Sequence, residues 1–79
     1  MLKAVIDTNI LLVAVSRRSP YHWIFQSLIK GDYTLCVTTE ILFEYEEIIG
    51  KEMGKTVSTN LIQTLENLWN VELITKYFS

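Results

Sequence analysis

Acidic residues at two places in the chain have the types and surroundings that suit binding of a divalent cation. Asp7 directly follows the apolar residues 4–6, and Glu44 and Glu46 lie in the acidic, apolar-striped segment 40–49. Carboxylate oxygens are the ligands that Mg²⁺ and Mn²⁺ prefer in proteins. If the fold brings two of these side chains together, they would form a metal site built from oxygen ligands.

The apolar pattern predicts the elements that position these carboxylates. Strands are predicted at residues 2–6 and 33–38, and a third could begin within residues 70–75. Helices are predicted at residues 9–15, from Ser19-Pro20 to just before Gly31, from a Thr38 or Thr39 cap to about residue 50, and at residues 59–69. Strands that alternate with helices indicate a parallel sheet. The predicted fold is a single α/β domain with an incomplete sheet of two or three strands and about four helices.

Sheet geometry predicts where the carboxylates meet. In open α/β sheets the functional crevice lies outside the carboxyl ends of the strands, which is where Asp7 is predicted to lie. The helix after the second strand starts at the same edge, and Glu44 lies about one and a half turns into it. The apolar stripe of that helix consists of Ile41, Leu42, Tyr45, Ile48 and Ile49. Glu44 lies at one border of the stripe and Glu46 at the other, so the helical wheel leaves both open.

Two motifs of the chain resemble those of the PIN-domain family. They are "VIDTNILLVAVS" and "LCVTTEILFEYEEII", and they are most similar to the branch of toxins from toxin–antitoxin systems. In that family the first strand ends in Asp-Thr-Asn, the second ends in Ser or Thr, and a glutamate follows in the next helix. Thr38 and Glu44 match that spacing, so the resemblance favours Glu44 over Glu46. It extends from Leu2 to about Thr75.

The resemblance implies a ribonuclease that depends on Mg²⁺ or Mn²⁺, with a three-layer α/β/α fold. Asp7 and Glu44 would be the catalytic, metal-binding residues, and Thr8, Asn9 and Thr38 would support the site or contact substrate. The implied partners are RNA and an antitoxin protein. The surplus of apolar side chains separately predicts a homodimer or other self-association. Acids of the family's C-terminal half have no counterpart in the sequence. Residues 1–79 are therefore expected to be one PIN-like domain truncated before that half, with an incomplete site.

Simpler interpretations of the same residues remain open. Asp7 could only cap the following helix through its carboxylate, and Glu44 could belong to a solvated acidic face. Thr8, Asn9 and Thr38 are equally typical of turns, caps and strand ends. The alternative function is a non-catalytic PIN-like module for interaction or dimerisation. A small phosphate-binding α/β protein is disfavoured because no glycine-rich loop follows the first strand.

Composition bounds the function classes further. The chain is 49% hydrophobic and 20% charged, which excludes a disordered segment. Its formal net charge of −2 gives no electrostatic basis for non-specific nucleic-acid binding. The single cysteine, Cys36, cannot form an internal disulfide, and no secretory signal is present. The longest apolar run, residues 10–15, is far shorter than the roughly 20 residues that span a bilayer. We expect a cytoplasmic protein without a membrane partner.

The sequence also predicts the exposure or burial of three large aromatic residues. Phe43 points away from the apolar stripe of its helix and is predicted to be exposed, as a partner contact would be. Trp23 and Trp69 are expected in the core. The high apolar content of so short a chain indicates surface to be covered by a partner or by further chain.

Overall fold

A computed structural model describes residues 2–75, which form four helices and one parallel sheet of three strands. In chain order the elements are β1 (Lys3–Ala4), α1 (Thr8–Val15), α2 (His22–Lys30), β2 (Thr34–Val37), α3 (Thr39–Met53), α4 (Lys55–Asn67) and β3 (Val71–Leu73). The strands pair in the order β1-β2-β3, so a pair of helices connects each strand to the next. The α/β class, the parallel pairing and the third strand are confirmed.

The core lies on one face of the sheet. Leu35 and Val37 of β2 are almost fully buried there, and apolar side chains from all four helices pack against the same cluster. This is the arrangement expected when consecutive crossovers run in one direction across the sheet, since right-handed connections then lie on the same face. The part of the chain that the structure describes therefore contributes two layers of the expected α/β/α architecture.

An ion pair lies across the opposite face of the sheet. Lys3 Nζ is 3.0 Å from Glu72 Oε2, so the pair joins the two edge strands across β2. The hydrogen bond to Glu72 and the charge of its carboxylate raise the pKa of Lys3 above its ordinary value. Both side chains are exposed, so the pair adds little stability, but it shows that this face is polar.

The end of α2 follows the sequence prediction, whereas its start does not. Gly31 has φ 84° and its N–H donates to Leu28 O at 3.0 Å, which is a left-handed helix stop that glycine favours. At the other end, Ser19 Oγ accepts a hydrogen bond from the Tyr21 N–H at 3.0 Å. Residues 19–21 thus form a turn, and the helix begins at His22 instead of at Pro20.

α4 begins earlier than the predicted residue 59, because packing on α3 stabilises its first turn. Gly54, with φ 99°, turns the chain between the two helices, and α4 begins at Lys55. Ser58 Oγ donates to Glu46 O at 2.8 Å, and a Cβ at Gly50 would lie 3.5 Å from the Ser58 side chain. α3 and α4 pack closely at these small residues. The stabilisation from this packing outweighs the low helix propensity of the first turn of α4.

The expectation of buried tryptophans is wrong. Trp23 is 61% exposed and Trp69 is 73% exposed. Trp69 covers Gly31, where an added Cβ would lie only 2.8 Å from the indole Cζ2, and presents its remaining surface to solvent. Phe43 is exposed as predicted, at 66%. None of the helices within residues 2–75 is long and apolar enough to cross a membrane.

Asn70 links three elements, and the sequence pattern did not reveal it. Its Nδ2 donates to Leu28 O at 2.9 Å and to Tyr33 O at 2.7 Å, while its own backbone carbonyl accepts from the Leu35 N–H. The residue is 1% exposed. It therefore fixes the end of α2 and the starts of β2 and β3 relative to one another.

Candidate metal centre

Asp7 lies in the turn between β1 and α1, at the carboxyl end of the first strand. It has the extended backbone of an N-cap residue, and its Oδ2 accepts a hydrogen bond from the Asn9 N–H at 3.1 Å. The Leu11 N–H donates to the Asp7 backbone carbonyl at 3.0 Å and begins the ladder of α1. The capping role considered from the sequence is thus present, and it uses one of the two carboxylate oxygens.

Glu44 reaches the same turn from the second turn of α3. The Thr8 hydroxyl donates to Glu44 Oε1 at 2.5 Å, which joins side chains 36 positions apart in the sequence. Thr8 is buried, at 6% exposure, so its hydroxyl is held by the packing around it. The fixed donor orients the Glu44 carboxylate toward the residues that follow β1.

Asp7 and Glu44 line one open cavity of about 350 Å³, together with Thr8. The apolar wall consists of Val5, Ile6 and Ile41. Glu46, the second carboxylate that the helical wheel allowed, does not line this cavity. The structure therefore brings together the two carboxylates that the resemblance selected.

Thr38 and Asn9, the other two predicted site residues, do not line this cavity. Thr38 is buried and is the N-cap of α3, where its Oγ1 accepts a hydrogen bond from the Ile41 N–H at 3.2 Å. Asn9 is exposed and contributes its backbone N–H to Asp7. Thr38 thus stabilises the start of α3, and the Asn9 N–H holds the Asp7 side chain at the start of α1.

The electrostatic surroundings of Asp7 include the helix that it caps. Its carboxylate lies at the N-terminus of α1, where the partial positive charge of the helix dipole stabilises an anion. No cationic side chain within residues 2–75 forms a salt bridge with Asp7 or Glu44. The negative charge of the cavity is therefore available to a cation from solution.

The donor set fits a single, weakly held Mg²⁺ or Mn²⁺ ion. Each carboxylate has one oxygen in a hydrogen bond, and both residues line the cavity. Mg²⁺ commonly takes one or two carboxylates and completes its shell with waters and substrate phosphates. No group of three or more histidine, cysteine, aspartate or glutamate side chains converges among the described residues. The larger acidic set that the resemblance implies is thus not found between residues 2 and 75.

Tyr45 is a contributor that the sequence analysis treated only as an apolar stripe residue. It is 0% exposed, and its hydroxyl donates to Ile6 O at 2.5 Å, directly before Asp7. A buried tyrosine usually finds a hydrogen-bond partner for its hydroxyl, and this rule was the available signal. Sequence alone could not say which acceptor it would find.

Comparison with known proteins is consistent with this architecture. A family model described as PIN domain matches residues 3–78. No curated protein and no solved structure matches the chain. PIN domains are generally nucleases. Since the family model covers nearly the whole sequence, the chain belongs to the PIN-domain family.

Proposed function

We propose that this chain is a metal-dependent ribonuclease of the PIN toxin type, in which Asp7 and Glu44 bind Mg²⁺ or Mn²⁺ and RNA is the substrate. The observation that carries the proposal is the shared cavity of two carboxylates from different βα units. The hydrogen bond from Thr8 to Glu44 holds those units together at that point. Family membership supports a nuclease in general, and the cavity supports the metal.

The residues around such a metal site would have different roles. A bound divalent ion supplies activation of water and neutralisation of charge on the phosphate. Asp7 is held in place by the Asn9 N–H, and Glu44 by the Thr8 hydroxyl. Thr38 caps α3 and so fixes the start of the helix that carries Glu44.

Two carboxylates bind Mg²⁺ weakly, so other oxygen atoms must complete the coordination. We assign this role to RNA phosphates and waters, as is common for Mg²⁺ sites with few protein ligands. An antitoxin protein as inhibitor and a cytoplasmic location belong to the same proposal. The buried, free thiol of Cys36 is compatible with a reducing compartment.

Removal of the metal tests this function directly. We expect the full chain to cleave an end-labelled single-stranded RNA in the presence of Mn²⁺, and to lose that cleavage completely in excess EDTA. Adding Mn²⁺ beyond the EDTA should restore it, since the ligands are the protein's own carboxylates. Cleavage that persists in EDTA would contradict the proposal.

A non-catalytic module for self-association or partner binding is the second candidate. It is favoured by large apolar side chains in solvent, and those more than 60% exposed among the described residues are Leu2, Trp23, Phe43, Trp69 and Leu73. Scattered exposed apolar residues are common, but five of this size in so short a chain favour a contact surface. The same RNA assay separates the candidates, because a folded dimer that neither binds Mn²⁺ nor cleaves RNA would favour the module.

A further inference from the structure

We infer that Tyr45 is a positioning residue that sets the separation of Asp7 and Glu44, an inference that rests on the proposed metal site. Its hydroxyl donates to Ile6 O at 2.5 Å and its ring is completely buried. Ile6 immediately precedes Asp7, and Tyr45 immediately follows Glu44. One hydrogen bond therefore links the residue before Asp7 to the residue after Glu44.

The acceptor of this hydrogen bond lies where regular structure offers no donor. β1 ends at Ala4, and the backbone ladder of α1 begins at the Asp7 carbonyl, which accepts from Leu11. The Ile6 carbonyl falls between the two, in a residue that is only 7% exposed. A buried carbonyl requires a donor, and Tyr45 supplies it from α3.

The hydroxyl has a role beyond filling the core. A leucine or phenylalanine would complete the apolar stripe of α3 equally well, but it could not donate to Ile6. Together with the Thr8–Glu44 hydrogen bond, the Tyr45–Ile6 hydrogen bond forms a second link between the first βα turn and α3. The two links involve the residues directly before and after Asp7 in the sequence, and they limit the movement of this turn relative to α3.

Tyr45→Phe removes the hydroxyl and keeps the ring. We expect two effects: Mn²⁺ affinity, measured by isothermal titration calorimetry, falls about three- to tenfold, and the amides of Asn9 and Leu11 exchange with solvent about three- to tenfold faster. The increase in exchange rate at these two amides should be larger than any increase at the Leu65 amide in α4, because the lost hydrogen bond stabilises only the region of the first turn of α1. A purely structural role would accelerate exchange at all three amides equally.

Tyr33→Phe is the matched control, because the Tyr33 hydroxyl also donates to a backbone carbonyl, that of Ile24, at 2.8 Å. Tyr33 precedes β2, at the edge of the sheet opposite the cavity. We expect this variant to leave both Mn²⁺ affinity and the exchange of the Asn9 amide unchanged. If Tyr45→Phe unfolds the chain, both variants are to be made with Gly50→Ala. That change improves helix propensity at a position where a Cβ makes only ordinary contacts.

The outcomes separate this inference from the function on which it rests. Uniform acceleration of exchange in Tyr45→Phe, or an unchanged Mn²⁺ affinity beside a weakened Asp7→Asn variant, would overturn the positioning role. Equal Mn²⁺ binding by the unaltered chain and by Asp7→Asn would instead overturn the metal site. In that case the exchange comparison still decides whether Tyr45 fixes the backbone before Asp7.

Discussion

Replacing Asp7 with asparagine is expected to lower both Mn²⁺ affinity and RNA cleavage by at least about 100-fold, with the fold intact. Loss of groups that only support a metal ligand costs about 10–100-fold, so loss of the ligand itself should cost more. Asparagine is as good an N-cap as aspartate, and its side-chain oxygen can still accept from the Asn9 N–H. The free energy of unfolding should therefore change by no more than about 1 kcal/mol.

Asp32→Asn is the matched control for this variant. Asp32 is exposed and precedes β2, so it lies at the sheet edge opposite Asp7. The substitution removes the same charge, and the Asp32 backbone N–H keeps its hydrogen bond to Ser27 O. We expect calorimetry and the RNA assay to give unaltered values. An equal loss in both variants would show that net charge, rather than a ligand, is what matters.

Replacing Glu44 with glutamine should also reduce Mn²⁺ affinity and RNA cleavage by at least about 100-fold, because it likewise removes a charged ligand. The amide oxygen of glutamine can still accept the hydrogen bond from Thr8, so the side chain stays in position while its charge is lost. The same calorimetric titration and cleavage assay measure the effect. We expect thermal unfolding to be nearly unchanged, because Glu44 is exposed and forms no salt bridge with a described residue.

Glu46→Gln tests the choice between the two glutamates that the helical wheel left open. Glu46 lies on the same helix and is exposed, but it does not line the cavity with Asp7. Its backbone carbonyl accepts a hydrogen bond from the Ser58 hydroxyl, and glutamine retains that carbonyl. Affinity and cleavage are expected to stay at the level of the unaltered chain. A loss as large as that of Glu44→Gln would move the site to another face of α3.

The arrangement of the site followed from local pattern together with general sheet geometry. An acid after a buried strand must lie at the carboxyl edge of a parallel sheet, which is where Asp7 is found. Helical periodicity placed Glu44 at the border of its stripe but could not separate it from Glu46. That choice depended on family resemblance, and the cavity lining agrees with it.

Contacts between elements distant in sequence could not be predicted in the same way. Periodicity identified Tyr45 as buried, yet its partner Ile6 is 39 positions away and is defined only once α3 packs beside β1. The same limit applies to Asn70, whose two carbonyl acceptors belong to α2 and to the segment before β2. In both cases the need for a partner is local, whereas the identity of the partner is tertiary.

The predictions of the α4 boundary and of tryptophan burial were wrong because both features depend on tertiary packing. α4 begins early because Ser58 bonds to α3, a stabilisation that propensity does not include. Trp23 and Trp69 are exposed instead of buried, because a small sheet with its core on one face has little interior to hold them. A chain of this length buries only a modest fraction of its surface, so some large apolar side chains stay exposed.

Paramagnetic broadening by Mn²⁺ tests most directly whether Asp7 and Glu44 hold one ion between them. In a titration of the ¹⁵N-labelled chain with substoichiometric Mn²⁺, the amide signals of residues 7–9 and of residues 41–45 should broaden first and in parallel. That result follows because both segments border the same cavity. Broadening of only one of these segments, or earlier broadening around Glu47 and Glu52, would show that the two carboxylates do not share a cation.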